Sequence, residues 1–202
     1  MYKKIIFLVV LVAVVVAVLL SIVQMSGDKN KSKLSTNTNT PTNTPTNTPT
    51  PNSGASLYLD PSENTKKVGE TFNVDIVLDT AGMPIDGVDV YALHYDPKIL
   101  QVIDDVSNQK GIQVTTGTIL PVNAANIVDQ SAGTIKLGLL STGGTNYSGK
   151  GILATVHFKA LRAGTASFVF DFSPGSTVDT NAAYQGKDQL TKVTGAAYII
   201  EK

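Results

Sequence analysis

The chain has no cysteine and no tryptophan, and its 202 residues carry a single arginine beyond the first quarter, Arg162. Without cysteine there can be no disulfide, no thiolate metal site and no lipid-modified cysteine holding the chain to a membrane. Missing tryptophan removes the largest flat platform on which a sugar ring could stack. The scarcity of arginine falls in an acidic stretch. Residues 57–202 hold 11 basic and 15 acidic side chains, while residues 1–56 hold five lysines against Asp28, so a neutral total hides +4 and −4 halves. An acidic globular part with one guanidinium is unsuited to phosphate backbones, and nucleic acid is excluded as a partner. Long-period apolar stripes are also lacking past residue 56, which argues against helices and against a βαβ arrangement.

Three blocks of composition remain. Residues 1–26 contain a run from Ile5 to Val23 that is apolar except for Ser21. Its length approaches the roughly 20 residues that span a bilayer core as a helix. Lys3 and Lys4 precede it, and Ser21-Ile22-Val23-Gln24-Met25 offers no A-x-A-like cleavage site. The expectation is an uncleaved transmembrane helix, with the N-terminus inside and the remainder outside the cell. Residues 27–55 form a Thr/Pro/Asn-rich linker with prolines at 41, 45, 49 and 51. Such a segment has little to bury and favours extended, polyproline-like conformations. It reads as a disordered spacer that holds the third block off the membrane. That block, residues 56–202, has the length of one domain with its own core.

The third block reads as all-β. Phe72, Val74, Ile76 and Leu78 alternate with Asn73, Asp75 and Asp79 over one strand. Val156, Phe158 and Ala160 alternate with Thr155, His157 and Lys159, and Phe168, Phe170 and Phe172 alternate with Ser167, Val169 and Asp171. Further strands are expected at 57–59, 88–95, 100–106, 112–115, 134–140 and 195–200. Glycine-bearing turns separate them, including Val68-Gly69-Glu70, Ser131-Ala132-Gly133 and Ser173-Pro174-Gly175. About nine strands at this spacing predict a two-sheet jelly-roll β-sandwich.

No catalytic set assembles. Gly144 to Lys150 matches G-x-x-x-x-G-K, but Gly151 follows where a P-loop needs a hydroxyl, and a strand follows where it needs a helix. Asp179 and Asn181 hint at a calcium loop, yet Tyr184 and Leu190 stand where an EF-hand needs glycine and a bidentate acid. Adjacent Asp104 and Asp105 do not face one another as a glycosidase pair would, and are expected to be solvated at a turn. His94 and His157 fall in separate strands with no nucleophile beside them. No enzyme activity, cofactor or metal is expected.

Three segments resemble the cohesin family in order and spacing. They are Val68-Gly69-Glu70-Thr71-Phe72-Asn73-Val74; Val88 to Val102, which contains Tyr95-Asp96-Pro97-Lys98-Ile99-Leu100; and Gly149 to Ala160, with Leu153-Ala154 and Phe158-Lys159-Ala160. Gly69, Tyr95, Asp96, Pro97 and Leu100 are the fold signature. Asp96-Pro97 also makes physical sense alone, since proline presets a turn and aspartate bonds nearby amides. The resemblance implies a cohesin-like sandwich, related to those of carbohydrate-binding modules. It implies a monomeric, non-catalytic cell-surface module that binds a dockerin-like partner, itself similar to a pair of calcium loops, in a polysaccharide-degrading assembly. In the family one sheet face makes that contact, using polar residues on the strand before the Tyr-Asp-Pro element. Asp89 takes the place of the family's aspartate there, although a one-residue register shift would turn it to the opposite face. His94, polar on the same strand, is the second candidate contact. Direct polysaccharide binding and a structural or adhesive role stay open. Against the former, the aromatics fall mostly on inward faces, leaving Tyr147 and Tyr184 in loop-like stretches.

Overall fold

Alternation in Thr71–Asp79 sets the pattern for the whole molecule. In the computed structural model, which describes residues 54–202, Phe72, Val74, Ile76 and Leu78 are buried while Thr71 and Asn73 face water. A strand with one apolar face must cover that face, and here a second sheet does so. Fourteen strand segments occur in order: β1 (Ala55–Asp60), β2 (Glu63–Lys67), β3 (Thr71–Asp79), β4 (Gly87–His94), β5 (Leu100–Val102), β6 (Thr115–Thr116), β7 (Val122–Asp129), β8 (Thr134–Leu140), β9 (Lys150–Ala160), β10 (Gly164–Phe170), β11 (Asn181–Tyr184), β12 (Lys187–Asp188), β13 (Leu190–Thr194) and β14 (Ala196–Glu201). The expected membrane helix and most of the linker lie outside the described residues. Among the described residues no helix is long and apolar enough to cross a membrane.

One sheet has the order β13-β1-β3-β9-β5, with β6 also paired to β9. The other runs β12-β11-β4-β10-β14-β2, and β8 and β7 extend it from the opposite edge of β4. Most neighbours are antiparallel, but β13 runs parallel to β1 and β2 parallel to β14. Strand β4 organises the second sheet. One of its edges pairs with β8, and the other is shared by β11, at Gly87 to Asp89, and β10, at Leu93 and His94.

Each of the nine expected strands has a counterpart, but β5 stops at Val102 rather than 106, β10 at Phe170 rather than 172, and the strand expected at 112–115 is only the pair Thr115–Thr116. The five additional segments are β2, β7, β11, β12 and β13. Glu63-Asn64-Thr65-Lys66-Lys67 contains no apolar residue, and Val122-Asn-Ala-Ala-Asn-Ile-Val-Asp alternates poorly. Such strands form because neighbours offer them backbone partners, which is a tertiary effect. The polarity of β2 also blunts the sheet edge it forms. Ala55, placed in the linker by composition, is the buried first residue of β1.

The core lies between the sheets and is fixed by an aromatic cluster. Phe158 of β9 meets Phe168 of β10 at 5.2 Å between ring centroids, and Phe72 of β3 meets Tyr198 of β14 at 5.3 Å. Tyr95 packs edge-on to Phe158 at 5.4 Å. Each such ring removes some 150–250 Å² from water, so the cluster is a major part of the driving force for folding.

The signature residues occupy structural positions. Tyr95 is buried, its hydroxyl donates to Gln130 Oε1 at 3.0 Å, and burial, with the Asp129 charge behind it, pushes its pKa up to about 12. Asp96 accepts the Lys98 amide at 2.8 Å through its carboxylate. The Asp96 carbonyl receives the Leu100 N–H at 2.9 Å, which starts β5 with Leu100 fully buried. Pro97 closes against Gly133, where an added Cβ would lie 2.7 Å from the Pro97 Cδ. Gly69, at φ +89°, turns the chain between β2 and β3 and donates its N–H to Ala160 O at 2.8 Å.

Asp104 and Asp105 are not a solvated turn. The Asp104 carboxylate accepts the amides of Val106 and Gln113, each at 3.1 Å. Asp105 accepts the Thr115 hydroxyl at 3.2 Å and lies 3.4 Å from His157 Nδ1. Together they fold the β5–β6 connection back onto β9, which local sequence does not reveal. Tyr147 and Tyr184 also differ from expectation. Both are half-buried, and Tyr147 packs against the core because its backbone pairs with Ile85 in both directions, at 2.7 and 2.8 Å.

Candidate functional site

The outward side of the second sheet is where apolar surface is left uncovered. Tyr91 on β4, Val122 and Ile127 on β7, Leu140 on β8, Val169 on β10 and Ile199 on β14 are all large apolar residues with substantial exposure. Cross-strand register puts them on one surface. Val122 pairs with Leu140 and Ile127 with Lys136; Asp129 pairs with Thr134, Thr134 with His94, and His94 with Val169. The row between these carries Ala125, Gly138, Asp89 and Asn181, paired in that order. Two small residues, Ala125 and Gly138, thus lead across the sheet to Asp89.

A bulge shapes the centre. Register shifts between Val90 and Leu93 of β4, so that Tyr91 and Ala92 together oppose Lys136 of β8. A bulge adds one residue and reverses the alternation beyond it. Asp89 and His94 are five residues apart and would fall on opposite faces of a regular strand. The inserted residue brings both to the outer face, where both are exposed. Tyr91, 45 % exposed, stands between them, and Lys136 Nζ lies 4.9 Å from its ring centroid.

Electrostatics follow from this crowding. Partial burial pushes the Asp89 carboxyl above the usual range, and the nearby Lys136 charge opposes that only in part. Asp129 moves the other way. Its Oδ1 accepts the Ser131 hydroxyl at 2.6 Å, with the Ser131 and Ala132 amides at 2.9 and 3.0 Å, and these bonds hold it in the charged form. Asp171 is placed beside the bulge by its N–H, which donates to Ala92 O at 2.8 Å.

The opposite face, on the first sheet, is polar. His157 lies there beside Asp105, with Asn73, Thr115 and Thr155 around a shallow depression. Asp179, the residue of the calcium-loop hint, accepts the Ser173 amide with one oxygen, while its other oxygen is buried without a partner. No group of three or more metal-ligating side chains occurs among the described residues.

Sequence reasoning named Asp89 and His94 and missed Tyr91, Lys136, Ile127 and Leu140. Counting by twos from Asp89 along β4 points to Tyr91. Ile127 carried no usable signal, because β7 does not alternate.

A family model described as "Cohesin domain" matches residues 58–197. No curated protein matches the chain. Among solved structures, the seventh ScaB type I cohesin of Pseudobacteroides cellulosolvens is 17 % identical with a TM-score of 0.53, covering 73 % of this chain and 92 % of its own. A type II cohesin domain from the cellulosome of Acetivibrio cellulolyticus is 20 % identical with a TM-score of 0.55, covering 72 % of this chain and 94 % of its own. A type I cohesin–dockerin complex from Clostridium thermocellum gives 15 % identity and a TM-score of 0.56, with 74 % and 94 % covered. At these identities the structures establish a shared fold, and the family model extends over most of the chain.

Proposed function

Because the chain belongs to the cohesin family, a family of non-catalytic binding modules, we propose that it docks a dockerin-like protein module on the outer face of its eight-stranded sheet. One observation carries the reading. Six of the large exposed apolar residues share that face, with Tyr91 two residues from Asp89 on β4 and Leu140 in the cross-strand row next to it. A flat sheet with an apolar centre and polar rim suits a protein partner. Its dimensions suit one too. Strands of seven or eight residues and six strand positions give roughly 25 Å by 25 Å, on the order of 600 Å², near the ~800 Å² per partner of a standard interface. Asp89 and His94 would then be contacts, with Tyr91 as the central anchor.

The cell-surface setting rests on the sequence alone. Residues 1–26 anchor the chain with its N-terminus inside, and residues 27–55 space the domain from the membrane, placing one docking module outside the cell.

Binding of the purified full chain to immobilised dockerin modules, with calcium and then with chelator, tests this. Capture that chelator reverses supports the reading. Absence of capture across a broad dockerin panel, combined with retention on insoluble polysaccharide, would replace it with carbohydrate binding. No flat strip of exposed aromatics favours that alternative: Tyr91 is the one strongly exposed ring among the described residues, and Lys136 is stacked on it.

A further inference from the structure

The same face holds a depression of about 470 Å³ formed at the β4 bulge. Small, buried Ala92 lies at its base, and Tyr91, His94, Ile127 and Thr134 line it. A carboxylate stands at each end. Asp129 is the last residue of β7, and Asp171 comes directly after β10, three strand spacings away, or roughly 14 Å. Lys136 lies between them, its ammonium on the Tyr91 ring and in no ion pair among the described residues.

Both carboxylates are available. Asp129 uses one oxygen for its three turn bonds and is held charged by them, leaving Oδ2 without a hydrogen bond. The Asp171 side chain makes no hydrogen bond or ion pair among the described residues, and only its backbone is engaged, to Ala92 O and from Thr180 N. Two free anions at the mouths of a partly apolar groove form a fixed negative–positive–negative pattern across the strands. Such a groove favours a segment that brings one cation to each end and lays its uncharged part over Tyr91 and Ile127.

We propose that this groove is the specificity subsite of the docking face, selecting partners that present two cationic side chains, arginines best, about 14 Å apart, one toward Asp129 and one toward Asp171. Arginine fits because its planar fork pairs with a carboxylate through two bonds. The inference rests on the docking reading for its biological meaning, but the groove's chemistry can be tested without any dockerin.

The probe is a fluorescent peptide with two arginines separated by three glycines, compared with the same peptide carrying citrulline, which keeps the shape and loses the charge. Binding to the full chain in detergent is read by anisotropy, with thermal melting to show that each variant folds. The expected result is saturable binding of the arginine peptide, weakened by added salt. Citrulline should bind at least about fivefold more weakly, from two exposed ion pairs of the usual strength. The double variant Asp129→Asn with Asp171→Asn should lose the difference between the peptides, whereas Asp75→Asn on the opposite sheet should preserve it. Equal binding of the two peptides, or a preference that survives in the double variant, would overturn the proposal. A dockerin that binds wild type and double variant alike would overturn the subsite and leave the docking reading standing.

Discussion

Lys136 and Tyr91 meet across β8 and β4, with the ammonium 4.9 Å from the ring centroid, at the point where the β4 bulge lifts the tyrosine out of the sheet. The pair puts an aromatic ring and a cation at the middle of a surface that mixes apolar side chains with Asp89, His94, Asp129 and Asp171. Central, partly exposed tyrosines are frequent anchors of protein interfaces. Tyr91→Ala is expected to weaken dockerin capture by about 2 kcal/mol or more, and to change the melting free energy by no more than about 0.5 kcal/mol, as for an exposed site. Titration calorimetry and thermal melting on the same samples separate the two effects.

Asp89 gives a pH signature. Burial raises its folded pKa above the unfolded value, so the folded state holds this proton more tightly. Its contribution to stability therefore declines as pH rises from the ordinary aspartate pKa through the raised one, and is least favourable at neutral pH. Asp89→Asn should remove that slope and leave stability at neutral pH equal or slightly higher. Docking should respond oppositely if the carboxylate accepts hydrogen bonds from the partner, weakening as pH falls through the raised pKa. A variant that binds as wild type at every pH would remove Asp89 from the contact.

Asn126 ties the buried connection before β6 to β7. Its side chain donates to Val114 O at 2.7 Å and accepts the Val114 N–H at 3.1 Å, so an amide group stands in for a strand beside β7. Asn126→Ala should cost about 1–3 kcal/mol through the unpaired backbone groups of Val114. Denaturant titration of the variant against wild type measures the loss.

Two glycine turns differ in what they tolerate. Gly133, at φ +65°, faces Tyr95 O, which an added Cβ would approach to 2.2 Å. Gly69, at φ +89°, opens on empty space. Gly133→Ala is expected to lower stability by about 3 kcal/mol or more, since strain and collision add. Gly69→Ala should cost only about 1 kcal/mol, the backbone term alone. Denaturant titration of both variants checks the ranking.

Alkali should unfold the domain through two tyrosines. Burial first, then nearby aspartates, raises Tyr95 and Tyr198 to about 12. Both folded values exceed the ordinary tyrosine pKa of about 10, so the unfolded chain loses these protons first and stability falls as pH rises from about 10 towards 12. The loss should reach roughly 2 kcal/mol for each group. Tyr198→Phe should reduce the loss by one group's share, read by tyrosinate absorbance alongside unfolding.

The family and the general architecture were legible in short stretches of sequence. Alternation at 72–79, 155–160 and 167–172 placed the core phenylalanines, although β10 ends at Phe170 and leaves Phe172 half-buried beyond it, and Tyr95-Asp96-Pro97 with Leu100 marked the turn that ends β4 and starts β5. These signals survive in one dimension because a half-buried strand alternates with period two and a turn constrains its own few residues. Strands such as β2 and β7 left no such trace. β2 has no apolar residue and those of β7 do not alternate, and pairing with β14 and β8 makes them strands.

The candidate site divides in the same way. Sequence by itself determined that the domain is acidic, lacks disulfides and tryptophan, buries one face of each main strand, and carries Asp89 and His94 on the strand before the turn. Tertiary structure decided which way those two point. One extra residue at Tyr91 and Ala92 opposite Lys136 turns His94 to the same face as Asp89, and β7, β8 and β10 bring Ile127, Leu140 and Val169 beside them. A bulge is defined by its partner strand, and an exposed surface by residues far apart in the chain, so neither can be read from a single segment.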